Sequence, residues 1–220
     1  MRTARCCILL ILSLCLIGAT TRHDLTREDL NFVHPFECAL CTSATTDVTL
    51  QAAITAIGSA KKTLIITPVT WTIDNNLTIP ENVHLSIAPG ALFSISSTRT
   101  LTINGPMSEG LFQRFTGAGT VVLGGKNTLA LPEWWGAAAD GVANDQPSLQ
   151  AAFTALSGGK GTVELRGLNY KITSQVNMVT GVSLNCPGGY MASRITPTGA
   201  GVKGLVYSAV TQTEAGITVK

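Results

Sequence analysis

Residues 63–90 read TLIITPVTWTIDNNLTIPENVHLSIAPG. Apolar and polar residues alternate in short runs, which predicts strands at LIIT (64–67), VTWTI (69–73), NLTI (76–79) and VHLSI (83–87). ALFSI (91–95) and TLTI (100–103) continue the pattern, with breaks at Pro80, Pro89-Gly90 and Asn104-Gly105-Pro106. The inward residues return at a coarser period. Ile66 to Ile87 is 21 residues, Trp71 to Phe93 is 22, and Leu77 to Leu101 is 24. A coil of three short strands has this length, and stacked coils make a parallel β-helix. A β-sandwich or barrel also uses short strands, but two-residue Asn-Gly or Asp-Gly hairpins are missing where those folds need them. The expected class is therefore all-β, a parallel β-helix of about three strands per rung with short capping α-helices.

The pattern occurs twice. LQAAITAIGSAKKT (50–63) and LQAAFTALSGGKGT (149–162) lie 99 residues apart, and the match runs without a gap to positions 90 and 189. Of 41 aligned positions 12 are identical, where unrelated sequences give about two or three. Most others keep their character, as in Trp71/Tyr170 and Leu77/Val176. Each copy opens with a helix whose apolar face holds Leu50, Ala53, Ile54 and Ile57, or Leu149, Ala152, Phe153 and Leu156. Asp47 and Asp145 are expected to cap these helices, Pro147 suits a first turn, and Gly58 and Gly158-Gly159 should end them.

Upstream, MRTARCCILLILSLCLIGATT (1–21) has a basic start, an apolar run and small residues at Gly18 and Ala19. That is the layout of a secretory signal peptide, and the run is shorter than the roughly 20 residues a membrane span needs. The expected organisation is a signal peptide over 1–19, a linker over 20–45, a first helix-plus-rungs module over 46–131 and a second over 132–220. Localisation should then be secreted, in the periplasm, at the cell surface or outside the cell. Without Arg2 and Arg5 the charge falls from +2 to zero. No basic stripe remains to attract nucleic acid, and no membrane association is expected after the leader is removed.

Cys6, Cys7 and Cys15 leave with the leader. Cys38 and Cys41 lack a second half-site or a thioredoxin-like context, so a local disulfide or two idle thiols is expected. Cys186 aligns with Ile87 and reads as a small core residue.

WGAAADGVANDQPSLQAA (135–152), GGKGTVELRGLNYKI (158–172) and VTGVSLNC (179–186) together resemble the N-terminal portion of the pectate-lyase superfamily. The likeness rests on Trp135-Gly136-Ala137, Asp140-Gly141 and Asn144-Asp145, with Asn144 in place of an acidic residue. It covers roughly residues 63–220 and takes in the leader-like TLTINGPMSEGLFQRFTGAGTVVLGG (100–125). The resemblance implies a right-handed β-helix whose first helix plugs the end of the coil, with Asp140 and Asp145 serving as turn and cap. It also implies a protein that binds or processes polysaccharide, by lyase, hydrolase or epimerase chemistry, or a non-catalytic adhesin or tailspike-like rod.

No catalytic, cofactor-binding or metal-binding residue can be assigned. Past Thr162 the acidic residues are Glu164 and Glu214, too far apart to propose as an acid/base pair. Arg166, Lys171, Arg194 and Lys203 are candidates to line a sugar groove, against the simpler reading of scattered surface charge. His23, His34 and His84 lack metal-ligand spacing. No cofactor is expected and polysaccharide is the expected partner. EAGITVK (214–220) reads as a strand stopping in mid-rung, so the chain is expected to be the N-terminal part of a longer protein or a truncated reading frame.

Overall fold

The structure is a computed structural model, and it describes residues 35–37, 46–158, 161–187, 193–202 and 204–207. Chain contacts divide the molecule at His34/Pro35, and every described residue falls in the unit Pro35–Lys220. The expected signal peptide over 1–19, Cys38 and Cys41 lie outside the described residues.

The chain is strand-rich, and its named strand pairs are all parallel. In the first copy the strands are β1 (Pro35–Glu37), β2 (Lys62–Ile66), β3 (Thr70–Ile73), β4 (Leu77–Ile79), β5 (Val83–Ile87), β6 (Leu92–Ile95), β7 (Thr100–Ile103), β8 (Phe115–Gly117) and β9 (Thr120–Leu123). The sheets are β1-β2-β5, β3-β6-β8 and β4-β7-β9, and the pairs β2-β5, β3-β6 and β4-β7 each return after three strands. Parallel pairing requires a crossover, and two intervening strands supply it for β2-β5, β3-β6 and β4-β7, one for β6-β8 and β7-β9. Ile66 pairs with Ile87, Trp71 with Phe93 and Leu77 with Leu101, the three returns legible in the sequence. β1 falls within the stretch expected to be a linker.

The second copy repeats the scheme with β10 (Leu129–Ala130), which pairs with β12 and so joins it from ahead of the expected boundary at 132, β11 (Asp140–Asn144), β12 (Gly161–Glu164), β13 (Asn169–Ile172), β14 (Val176–Met178), β15 (Val182–Asn185), β16 (Arg194–Pro197) and β17 (Leu205–Tyr207). Its sheets are β10-β12-β15, β11-β13-β16 and β14-β17. No named sheet mixes strands from the two copies, yet one continuous apolar core runs through both. Alternation decides who enters that core. On β5 Val83, Leu85 and Ile87 are buried while His84 and Ser86 face outward. Trp71, Phe93 and Phe115 stack inward on successive strands of one sheet.

Two helices interrupt the circuits, α1 (Asp47–Ile57) and α2 (Gln146–Ala155). Before α1 come β1 and Thr46, the latter bridged to Thr72 on β3; before α2 come β10 and β11. Each helix thus occupies the place of the strand that would precede β4 or β14. It covers an edge that would otherwise present unpaired N–H and C=O groups. α2 also packs against β9, so it lies between the two copies instead of plugging an open end.

The caps differ from expectation. Thr46 holds the N-cap position of α1 without a side-chain cap bond. Asp47, already helical and buried, accepts Asn75 Nδ2 at 2.8 Å and ties the helix to the β3–β4 turn. Asp145 holds the N-cap position of α2, but its carboxylate accepts the N–H groups of Ala138 (2.7 Å) and Ala139 (3.2 Å) and closes the preceding loop. Asn144 Oδ1 accepts Gln146 N–H at 3.3 Å instead. Gly58 ends α1 as expected, at φ 59°, whereas α2 stops at Leu156, ahead of Gly158.

Close stacking fixes particular residues at the turns. A Cβ at Gly105 would sit 1.9 Å from the Val83 carbonyl oxygen, so only glycine fits where one circuit crosses the turn below. Asn82 Nδ2 donates to the carbonyls of Gly58 (2.9 Å) and Ala60 (2.7 Å), satisfying acceptors left open at the end of α1.

Candidate functional site

The richest polar cluster lies where the copies meet. A short 3-10 helix, Pro132–Trp135, crosses the joint, started by its proline and ended by Gly136 in the left-handed region at φ 86°. Beside it runs the segment 107–114 between β7 and β8. Arg114 is fully buried here. Its Nη1 donates to Ser108 O at 2.6 Å and its Nη2 to Gly110 O at 3.4 Å. The guanidinium lies 4.5 Å from the Trp134 ring centroid and 4.9 Å from that of Phe112, a cation held by carbonyls and π faces. Trp134 Nε1 donates to the same Gly110 carbonyl at 2.8 Å, and Arg114 N–H donates to Trp134 O at 2.8 Å. Burial pulls the Arg114 pKa down to about 10 while the charge of Glu109 partly offsets this, so it stays cationic at neutral pH. Its Nε is buried without a partner.

A second knot forms around Glu133 of the same 3-10 helix. The Tyr170 hydroxyl on β13 accepts the N–H groups of Arg166 (3.1 Å) and Gly167 (2.8 Å) and donates to Glu133 Oε1 through a short contact. Burial, then the Glu133 contact, pushes the phenol pKa up, so it remains a donor. Arg166 Nε meets Glu164 Oε1 at 2.5 Å and its Nη2 meets Glu109 Oε2 at 3.3 Å. The hydrogen bond to Glu164, foremost, raises the Arg166 pKa.

Three carboxylates, two arginines and a tyrosine therefore gather at the joint. Of these, only Glu164 and Arg166 were legible as candidates. Glu109, ahead of the second module, and Glu133, at its start, escaped because they lie 57 and 37 residues from their partners. No spacing rule links such positions. The PEWW sequence signals a helix start at Pro132, which is the one available hint to Glu133. Chemically the cluster is closed: Glu164 and Glu109 share Arg166, and Glu133 engages Tyr170. Glu133 Oε2 and Arg114 Nε are buried without a hydrogen-bond partner among the described residues, while the paired groups would have to separate before acting on a substrate.

The other candidates do not join it. Lys171 Nζ donates to Val142 O at 3.0 Å. Arg194 is exposed at the start of β16, in register with Asn169. Lys203, Glu214, His23 and His34 lie outside the described residues. His84 faces outward, its Nδ1 3.4 Å from Thr63 Oγ1. Cys186 packs half-buried against the core and burial pushes its thiol pKa up. Asp140 makes a turn, accepting the N–H groups of Val142 (2.7 Å) and Ala143 (2.9 Å). Among the described residues no group of three or more His, Cys, Asp or Glu can hold a metal ion, and no helix is long and apolar enough to cross a membrane. No family model, curated protein or solved structure matches the chain.

Proposed function

We propose that this chain is a right-handed parallel β-helix from an exported protein of the pectate-lyase-like kind, and that it binds or processes polysaccharide. The observation that carries the reading is the circuit itself: parallel strands returning after 21, 22 and 24 residues, with polar side chains on their outer faces. Thr72, Ser94 and Thr116 form one outward column, and Thr78 and Thr102 begin another. At the strand spacing of about 4.8 Å such columns offer repeated hydroxyls to an extended polymer.

A second reading, a non-catalytic surface or attachment protein, is favoured by the closed network at the joint, in which Glu109, Glu164 and Arg166 are already paired. The full-length gene product should be tested on uronic-acid and neutral polysaccharides, following unsaturated and reducing ends together with retardation in polysaccharide-loaded gels. Retardation without new ends would assign it to attachment. Neither retardation nor cleavage on any polysaccharide would overturn the polysaccharide reading altogether.

A further inference from the structure

We propose that Asn76 is an acceptor for N-linked glycosylation, an inference that rests on the reading of the chain as exported. Asn76-Leu77-Thr78 is the chain's single Asn-x-Ser/Thr sequence with a permitted middle residue. Asp74 stands two positions before it, which also meets the stricter form of the motif that asks for an acidic residue there.

The structure places this motif where a transferase can use it. Asp74, Asn75 and Asn76 form the exposed turn between β3 and β4, and Thr78 faces outward from β4 while Leu77 and Ile79 point into the core. The turn is anchored from below, by Asn75 Nδ2 on Asp47 and by Ser96 Oγ on Asp74. Asn76 Oδ1 accepts the Thr100 N–H at 3.0 Å. That bond turns the carbonyl side of the amide toward the neighbouring strand, and among the described residues Nδ2 has no hydrogen-bond partner. Nδ2 is the atom that reacts. The attachment leaves the amide carbonyl in place, so the bond to Thr100 survives modification.

In the transfer, a bond forms between Nδ2 and the anomeric carbon of an oligosaccharide carried on a lipid diphosphate. The bond from that carbon to the diphosphate oxygen breaks, the lipid diphosphate leaves, and one amide proton passes to a base on the transferase. No oxidant or reductant is needed. The aligned position in the second copy is Gln175, so only the first copy would carry the glycan.

The test expresses the chain in cells holding an oligosaccharyltransferase and its lipid-linked donor, once with its own N-terminus and once behind a leader of proven function. Intact mass and mapping of the Asn76 peptide should show one glycan on the exported chain. Thr78→Val, which keeps a strand-forming side chain and removes the hydroxyl, should lose that glycoform almost completely, and Thr78→Ser should retain it. Export behind the proven leader with Asn76 unmodified, while a control acceptor in the same cells is modified, would overturn the proposal. Failure of export with the native N-terminus alone would refute the export reading, and the proven-leader arm would still decide whether Asn76 is an acceptor.

Discussion

The two copies share a plan and differ in what they do with it. From the helix through β5 and β15 the correspondence holds at an offset of 99, with Leu77–Ile79 matching Val176–Met178 and Val83 matching Val182. Beyond that the second copy loosens. Trp71 pairs with Phe93 after 22 residues but Tyr170 with Ile195 after 25, and Leu77 with Leu101 after 24 but Val176 with Leu205 after 29. The extra residues fall between β15 and β16 and between β16 and β17, where chain can be added without moving the strands' inward side chains off their face. The aligned aromatics also diverge. Trp71 is apolar filling with one 3.3 Å bond from Nε1 to Thr67 O, whereas Tyr170 is the hub of a polar knot reaching Glu133. The lesson is that the repeat conserves which side faces in, while the joint recruits the same inward position for fastening.

The sharpest way to break the comparison is at those aromatics. Trp71→Ala removes a fully buried ring from a column of three and should cost about 3–5 kcal/mol in urea unfolding. Tyr170→Phe keeps the ring and removes one oxygen, stranding Glu133 and two backbone N–H groups. The expected cost is about 3 kcal/mol, since each unsatisfied buried group is worth roughly 1–3. Trp71→Phe loses the Nε1 bond and part of the ring, but Thr67 O keeps the Val69 N–H at 2.8 Å, so it should cost less than Trp71→Ala. A Tyr170→Phe variant as stable as the parent would show that the knot contributes nothing to the joint.

Much of this fold was legible because the inward residues obey a rule: period two along a strand and a return every 21–24 residues. Ile66, Trp71 and Leu77 could therefore be matched to their partners from sequence. The helices were legible as apolar stripes. Asp145 does hold the N-cap position of α2 and Asp47 lies one residue inside α1, but neither carboxylate caps its helix, because the β3–β4 turn competes for Asp47 as the 137–139 loop does for Asp145. The joint was illegible for a different reason. Arg114 and Glu109 lie in connecting chain and Glu133 in a single 3-10 turn, too short to show a period, and their partners are set by tertiary contact alone.

A smaller effect separates the two helices. Ala155 is buried, consistent with the packing of α2 against β9, while the aligned Ala56 on α1 is exposed. Ala155→Leu should lose about 1–3 kcal/mol through overpacking. Ala56→Leu should stay within about 0.5 kcal/mol, as an exposed substitution by a good helix former. Equal losses at the two sites in parallel chemical-denaturation curves would mean that α1 is covered as α2 is.

The subtlest difference is between two aspartates five residues apart. Backbone N–H groups of Val142 and Ala143 favour the charged form of Asp140, so its pKa lies below the ordinary aspartate value. Asp145 also accepts two backbone N–H bonds, yet loss of solvation outweighs them and its pKa lies above that value. The consequences for stability have opposite signs. Between the depressed and the ordinary value, the unfolded chain holds the Asp140 proton and the folded chain does not, so stability from Asp140 is lost as pH falls through that window. Between the ordinary value and the raised one, the folded chain holds the Asp145 proton and the unfolded chain does not. Acidification there favours the fold, and Asp145→Asn, which cannot titrate, should lose ground against the parent as pH drops toward the ordinary value. Carboxyl resonances followed by NMR should show midpoints on either side of that value, Asp140 below and Asp145 above. The reverse order would mean that the two N–H bonds from Ala138 and Ala139 dominate at Asp145, making it the better-stabilised carboxylate of the pair.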